Sequence, residues 1–146
     1  MDKYGNINAT SIGNYRHPDV RFPGSGGSSD IACLAKRTVI MARHEKRRFV
    51  EKVDYITSPG WLDGSGSRER AGLVRGGPDV IVTTMGLIRF HPDTRRAYLD
   101  SYHPGLTAQA VANETGFFLD IDQAVLGQAP AAEELRILQE EVDPER

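Results

Sequence analysis

A short segment rich in glycine and serine, residues 24–30, is the part of this sequence best suited to chemistry. Glycine tolerates positive φ and allows close approach of the backbone, so successive N–H groups can converge on one anionic oxygen. Residues 30–36 suit a short helix, with Ser28 or Ser29 as the N-cap and Asp30 in the first turn. The segment therefore predicts either an anion-binding loop at a helix start or a plain tight turn.

The densest run of positive charge is found at residues 43–48, which read RHEKRR. Arg47 and Arg48 are candidates for binding phosphate, because a guanidinium can form two parallel hydrogen bonds to it. The run also contains Glu45, and its charges are mixed. A solvated charged surface or a subunit contact is the more common role of such a run and stays open.

Three histidines, His44, His91 and His103, have side chains that titrate near neutral pH. His91 and His103 each precede a proline in a turn, and no Ser or Cys has the sequence context of a nucleophile that would use a base. We therefore expect structural roles for these histidines.

The bulk composition argues against several classes of protein. The chain has 146 residues, with 18 basic and 20 acidic side chains. It lacks the excess of Lys and Arg that nucleic acids and anionic membranes attract. No apolar run approaches the roughly 18 residues of a membrane-spanning helix, and no signal-peptide core is present. We expect one cytoplasmic domain without nucleic-acid or membrane binding.

The single cysteine, Cys33, has no partner for an internal disulfide and no ligand set at zinc spacing. A buried, small hydrophobic side chain is its expected role. No metal site is predicted.

The elements that would position these residues alternate between strands and helices. Strands are predicted at 38–42, 49–57, 79–84, 86–90 and 98–102, after a turn and a short strand within residues 5–10. The apolar, β-branched run 38–42 is typical of a strand buried on both faces of a parallel or mixed sheet. Short turns between the last three strands predict an antiparallel meander.

Two further helices and one long loop complete the predicted organisation. A helix at 108–114 would have Thr107 as its N-cap and Gly116 as its C′ stop. Pro130 would be the first helical residue of a C-terminal helix and tail over 130–146. Residues 58–77 form a long loop, and loops of that length are usually functional, interfacial or mobile.

Five segments, taken together and in order, resemble the β subunit of family I coenzyme A transferases of the glutaconate CoA-transferase kind. They are 4–8 (YGNIN), 23–32 (PGSGGSSDIA), 35–37 (AKR), 44–60 (HEKRRFVEKVDYITSPG) and 99–105 (LDSYHPG). The β subunits of ring-cleaving hydrolases in steroid degradation are similar. More distantly, the 24–30 segment resembles the glycine-rich loop in the β half of 3-oxoacid CoA-transferases.

The resemblance implies an α/β fold, with an open mixed β-sheet flanked by helices, as a single domain over 1–146. It also implies a heteromer with an α subunit, acyl-CoA and a carboxylic acid as substrates, and no bound cofactor besides coenzyme A as a substrate. In the family a glutamate attacks the thioester, and it lies upstream of the part that matches residues 5–8. Glu45 and Glu51 do not match its position, so we expect a C-terminal portion that is inactive alone.

The resemblance also implies roles for individual residues. Backbone amides of the glycine-rich loop face the thioester oxyanion in the family, and Gly26, Gly27 and Ser28 are the matching positions. We expect Gly27 to require positive φ. Gly24, Arg47 and Arg48 are candidates for coenzyme A binding. Trp61 and Arg68 are candidates for contact with the adenine or the α subunit, although an ordinary loop with one anchoring aromatic residue is the alternative.

Two other functions remain open. One is a non-catalytic, truncated paralogue that binds coenzyme A or an α-like partner. The other is a subunit of a hydrolase that cleaves a ring in a coenzyme A thioester, because the fold does not decide between transfer and hydrolysis. A truncated subunit would also leave a sheet edge uncovered, with the strand 38–42 the most exposed to association.

Overall fold

A computed structural model describes residues 1–73 and 75–145 of the chain. The strands are β1 (Ser11–Gly13), β2 (Pro18–Arg21), β3 (Thr38–Ala42), β4 (Pro78–Thr83), β5 (Gly86–Phe90), β6 (Ala97–Tyr102) and β7 (Val125–Leu126). The helices are α1 (Ser28–Leu34), α2 (Ser67–Arg70), α3 (Ala108–Asn113) and α4 (Ala132–Ile137), with a 3₁₀ turn at Lys46–Arg48 and a π-helical turn at Leu138–Val142.

The main layer is a five-stranded mixed sheet in the order β3-β4-β5-β6-β7. β4, β5 and β6 are antiparallel neighbours, whereas β3 and β7 run parallel to the strands that they pair with. β1 and β2 form a separate antiparallel pair. The predicted mixed α/β architecture and the antiparallel meander are therefore confirmed.

The core lies on one face of this sheet, where strands alternate between buried and half-buried residues. Ile81, Ile88 and Leu99 are fully buried, and burial of such side chains stabilises the fold by about 1.5–3 kcal/mol each. Helix α3 and the segments on either side of it cover this face. The core consists of Phe49, Ile81, Ile88, Phe90, Ala97, Leu99, Val111, Phe117 and Leu119.

Strand β3 forms where predicted, but the expectation that both of its faces are buried is wrong. Val39 is 55% exposed and Met41 is 81% exposed, whereas Ile40 packs against the core. The cause is the position of β3 at the edge of the sheet, where β4 is its one neighbour among the described strands. Its apolar composition therefore reflects one half-buried face and one open apolar face.

The predicted strand at 49–57 is not present as a continuous strand. Val50 forms single bridges with Asp2 and Gly116, and Ser58 forms one with Ile7. Among the described residues, no neighbouring segment runs beside 49–57 for more than one residue pair at a time. Some side chains of residues 49–57 are therefore buried although the segment forms no continuous β-ladder with a neighbouring strand. Similarly, residues 5–10 form bridges and turns, and the first regular strand is β1.

Helix α1 begins two residues earlier than predicted. Gly27 is its N-cap, without a side-chain cap, and Ser28 is already helical, so neither Ser28 nor Ser29 is the cap. The Ser28 hydroxyl bonds instead to the Ser25 carbonyl and to Ser58. Cys33 on this helix is half-buried rather than buried.

Helix α3 confirms Thr107 as its N-cap, since the Thr107 hydroxyl accepts a hydrogen bond from the Ala110 amide. Gly116 is not a left-handed C′ stop. Its N–H donates to the Phe49 carbonyl at 2.7 Å, and a Cβ there would lie 2.1 Å from the same oxygen. Gly116 is therefore explained by close backbone approach.

The remaining segments also differ from the prediction in detail. The 58–77 loop contains the short helix α2, and Val74 within it lies outside the described residues. The last helix begins at Ala132, because Ala131 is its N-cap and Pro130 precedes the helix. Arg146 of the predicted tail also lies outside the described residues. Within the described ranges, no helix has the length and apolarity needed to cross a bilayer.

Candidate functional site

The glycine-rich loop leads directly into α1 and is open to solvent. Gly24 has φ +97° and Gly26 has φ +50°, whereas Gly27 has φ −84°. The expectation of positive φ at Gly27 is therefore wrong, and the requirement falls on Gly26 instead. A Cβ at any of these three glycines would meet nothing within 4 Å, so a ligand can approach the backbone here.

The backbone donors of the loop are not equivalent. The Ser28 N–H donates to the Ser25 carbonyl at 3.0 Å, and the Gly24 N–H donates to the Ala9 carbonyl at 2.8 Å. Neither the Gly26 nor the Gly27 N–H has an acceptor within the described residues. These two amides are the free donors, and Ser28 holds the turn that presents them.

A pair of serine hydroxyls anchors the loop to the rest of the molecule. The Oγ atoms of Ser28 and Ser58 lie 2.8 Å apart, and Ser58 is 2% exposed. Ser58 is itself fixed by an antiparallel bridge to Ile7. No motif identified Ser58 as part of the site, although it lies within the resembling 44–60 segment.

A cleft of about 240 Å³ extends from the loop between α1 and β3. Its walls are mostly apolar, with hydroxyl groups from Ser28, Thr38 and Ser58. No Asp or Glu lines it among the described residues, and those residues include no cluster of three or more side chains that could hold a metal ion. The cleft can shelter an uncharged group, and Ser28 is the residue of the glycine-rich loop that lines it. The cleft walls are Gly5, Ile7, Ser28, Ile31, Ala32, Thr38, Val39, Ile40, Ser58, Pro59 and Pro78.

The basic run lies apart from this cleft. Arg47 and Arg48 belong to the 3₁₀ turn, and both donate to one Glu45 carboxylate oxygen at 2.8 and 3.0 Å. These hydrogen bonds, from Arg48 and then Arg47, lower the pKa of Glu45. Neither arginine lines the cleft beside the loop. Arg47 and Arg48, two of the residues predicted to bind coenzyme A, therefore make their polar contacts with Glu45 and not with this cleft.

Arg68 has a different environment from the one expected of a ligand contact. It is 1% exposed, and its guanidinium donates to the carbonyls of Pro59, Gly60, Ala32 and Arg75 at 2.7–3.1 Å. Direct contact with an adenine or a subunit is therefore excluded for Arg68. Its role is to hold the 58–77 loop against α1.

Three of the four histidines were considered for catalysis, and the side chain of each of these three has protein partners. His44 lies between the hydroxyls of Thr83 and Thr115, and burial lowers its pKa. His91 contacts the Asp120 carboxylate at 3.1 Å, and His103 contacts the Thr83 carbonyl at 3.0 Å. None of the three lines the cleft beside the loop.

Comparison with known proteins decides the family. A family model described as coenzyme A transferase matches residues 1–114. The chain belongs to the coenzyme A transferase family. Members of this family with similar sequences include a subunit of glutaconate CoA-transferase from Acidaminococcus fermentans, at 49% identity over 99% of this chain and 54% of that protein. The crystal structure of glutaconate coenzyme A-transferase from the same organism superposes with a TM-score of 0.92, at 48% identity over 99% of this chain and 55% of that chain.

Two other relatives show the breadth of the similarity. A subunit of 3-oxoadipate CoA-transferase from Pseudomonas knackmussii is 37% identical over 94% of this chain and 54% of that protein. A cholesterol ring-cleaving hydrolase subunit from Rhodococcus jostii is 29% identical over 99% of this chain and 56% of that protein. This coenzyme A transferase chain spans about half the length of the curated relatives that it matches.

Proposed function

We propose that this chain is part of an acyl-CoA:carboxylate CoA-transferase, in which it supplies an oxyanion-binding loop and a surface for an α subunit. The observation that carries the proposal is the 49% identity to a glutaconate CoA-transferase subunit over 99% of the chain. The hydrolase relative is 29% identical, so transfer is favoured over ring-cleaving hydrolysis.

The loop geometry supplies the chemistry that this function needs. When a carboxylate attacks a thioester carbonyl, negative charge develops on the carbonyl oxygen. The adjacent amides of Gly26 and Gly27 are open and unpaired among the described residues, so they can donate to that oxygen. A preorganised backbone donor of this kind typically lowers the barrier by about 2.7–4 kcal/mol. Ser28 is the positioning residue, because its amide closes the turn.

The nucleophile in this scheme comes from outside the described residues. Among these residues, no carboxylate lines the cleft beside the loop. Glu45 is paired with arginines of its own turn, Glu51 is paired with Lys3, and neither lines the cleft. We therefore assign the attacking carboxylate to another part of the complete transferase.

The first test is turnover by the chain alone. Because no carboxylate of the described residues lines the cleft beside the loop, we expect no transfer of coenzyme A between an acyl-CoA and a free acid above the uncatalysed rate. The assay is chromatographic detection of the new acyl-CoA. Measurable turnover by the pure chain would overturn the assignment of the nucleophile to another part of the enzyme.

The second test concerns the loop in a transferase reconstituted from the full-length subunit that contains this sequence and its α partner. We expect Gly26→Val to lower turnover about a hundredfold or more, because valine resists the φ of +50° that orients the donors. Gly27→Ala is the matched control, since φ there is −84° and a Cβ meets nothing. Melting temperature is measured beside turnover. A fully active, normally stable Gly26→Val enzyme would refute the oxyanion role.

A further inference from the structure

The orientation of one peptide unit decides where the Gly26 donor points. The Ser25 carbonyl and the Gly26 N–H belong to the same planar trans peptide, so they point in opposite directions. Whatever holds the Ser25 carbonyl therefore also aims the Gly26 N–H. If this unit rotated by half a turn, a carbonyl oxygen would replace the donor and would repel an oxyanion.

The loop backbone itself restrains this peptide unit only weakly. Gly24 has φ +97° and Gly26 has φ +50°, so Ser25 lies between two glycines, which tolerate many backbone conformations. A Cβ at either glycine would meet nothing within 4 Å, so the surroundings do not clamp the backbone there. The unit is therefore held mainly by the hydrogen bonds to the Ser25 carbonyl.

The Ser25 carbonyl accepts two hydrogen bonds, both from Ser28. The Ser28 N–H donates at 3.0 Å, and the Ser28 hydroxyl donates at 2.8 Å. A serine hydroxyl has one proton, and that of Ser28 is used on Ser25. The hydrogen bond of 2.8 Å between the hydroxyls of Ser28 and Ser58 is therefore donated by Ser58. Ser58, Ser28 and Ser25 form a hydrogen-bonded series in that order, and successive bonds of this kind strengthen one another.

Ser58 is the rigid end of the hydrogen-bonded series. It is 2% exposed, its N–H donates to the Ile7 carbonyl at 3.1 Å, and its carbonyl accepts from the Ile7 N–H at 3.0 Å. Pro59 follows it and restricts the Ser58 backbone to extended conformations. Among the described residues, the Ser58 hydroxyl has no hydrogen-bond partner other than Ser28. The hydroxyl of Ser58 is therefore committed to orienting Ser28.

We propose that Ser58 is a positioning residue of the oxyanion site, which holds the Gly26 N–H in its donating orientation through Ser28 and the Ser25 carbonyl. Ser58 acts through Ser28 rather than on the substrate. Its catalytic consequence rests on the proposed transferase function. The orientation of the peptide unit, by contrast, can be measured without turnover.

The first measurement is hydrogen exchange of the Ser28 amide, because this N–H is released when the Ser25 carbonyl turns away. The exchange is followed by NMR in the isolated chain with a ¹⁵N label. Ser58→Ala should speed the exchange about three- to tenfold, the effect of losing one hydrogen bond. Ser11→Ala is the matched control, since Ser11 is fully buried and its hydroxyl has no partner among the described residues. It should leave the exchange unchanged.

The second measurement is turnover in the transferase reconstituted with the full-length subunit and its α partner. Ser58→Ala should lower kcat about three- to tenfold and leave KM unchanged, because the donor binds charge that develops only in the transition state. The double variant Ser28→Ala/Ser58→Ala should be no slower than Ser28→Ala, since Ser58 acts only through the Ser28 hydroxyl. Ser11→Ala should leave kcat and KM unchanged.

The outcomes separate this proposal from the transferase function. Unchanged exchange of the Ser28 amide in a folded Ser58→Ala chain would overturn the proposal, and so would additive losses of kcat in the double variant. Ser58→Cys is a second variant that keeps a side chain of similar shape but has only a weak donor, and it should show the same faster exchange. Faster exchange in both variants, without turnover by the unmodified enzyme, would contradict the transferase function and support the role of Ser58.

Discussion

His44 shows how burial sets the protonation state of a single side chain. Its ring is 7% exposed and stacks on Phe49 with the ring centres 4.4 Å apart. Nδ1 lies 3.1 Å from the Thr83 hydroxyl, and Nε2 lies 3.0 Å from the Thr115 hydroxyl. The Thr83 and Thr115 hydroxyls donate to the carbonyls of Gly86 and Val111, so a neutral imidazole, which has one N–H, donates to one of these two hydroxyls. Burial lowers the pKa of His44 below its ordinary value of 6.5, with a smaller opposing effect from Glu114.

This environment predicts a pH dependence of folding stability. Because the unfolded chain binds a proton near pH 6.5 that the folded chain resists, the contribution of His44 is complete above about pH 6.5. It decreases as pH falls from there towards the lowered pKa of the folded state. We expect urea denaturation between about pH 7.5 and 5.5, a range around this pKa, to show a smaller loss of stability in His44→Gln than in the unmodified chain.

His17→Gln is the control for this experiment, since His17 is exposed. It should retain the full pH dependence. Identical pH slopes for the two variants would show that His44 titrates in the folded state as it does in the unfolded state.

At the scale of elements, Arg68 connects three segments that are not joined to one another in a common helix or sheet. Its four hydrogen bonds reach the carbonyls before α2, within α1 and after α2. Burial lowers its pKa, and because a guanidinium is not deprotonated in proteins, a charged group is held inside the loop. Arg68 therefore orders the 58–77 loop together with Asn6, which bonds to the backbone of Gly60 and Leu62, and Trp61, which packs against the core.

Removing this cation should destabilise the chain strongly. We expect Arg68→Met to lower the free energy of unfolding by at least about 3 kcal/mol, because several buried carbonyls lose their donor at once. Arg68→Lys should lie between, since an ammonium cannot span the same acceptors. Urea midpoints measure the effect.

Arg70 on the same helix is the matched control, because it is exposed. Arg70→Ala should change the free energy of unfolding by less than about 1 kcal/mol. A similarly small effect of Arg68→Met would mean that water replaces the guanidinium at little cost.

At the scale of the whole molecule, one end of the sheet presents apolar side chains to solvent. β3 is an edge strand with Val39 and Met41 exposed, and the adjacent α1 exposes Ile31 and Leu34. An uncovered edge and an apolar patch both promote association between chains. The sequence predicted association at β3, and the structure identifies the surface for it as the exposed apolar side chains of β3 and α1.

We expect the isolated chain to self-associate through this surface. Met41→Lys should lower the weight-average mass in sedimentation and reduce binding of a dye specific for apolar surface, because a charge on an edge strand opposes pairing. Leu135→Lys is the control, since Leu135 is exposed on α4. A monomeric unmodified chain without dye binding would contradict this.

The sequence alone determined the features that depend on short-range pattern. The meander of β4 to β6 follows from β-branched runs separated by short turns, and Thr107 caps α3 through a contact three residues away. The resemblance in five ordered segments was sufficient to identify the family, which the comparison confirmed. These features were predictable because the residues that decide them are close together in the chain.

Only the tertiary structure decided the features that depend on distant partners. Residues 49–57 alternate as a strand does, but no described segment extends beside them, and β3 is apolar although one face is open. From the sequence, Arg68 was a candidate for contact with a ligand or a subunit, but in the structure it is enclosed by its acceptors, one of which is the distant Ala32 carbonyl. Ser28 and Ser58 are 30 positions apart, and their hydroxyl groups form a hydrogen bond only in the folded chain. Local pattern carries no information about such long-range contacts, which arise when the chain packs.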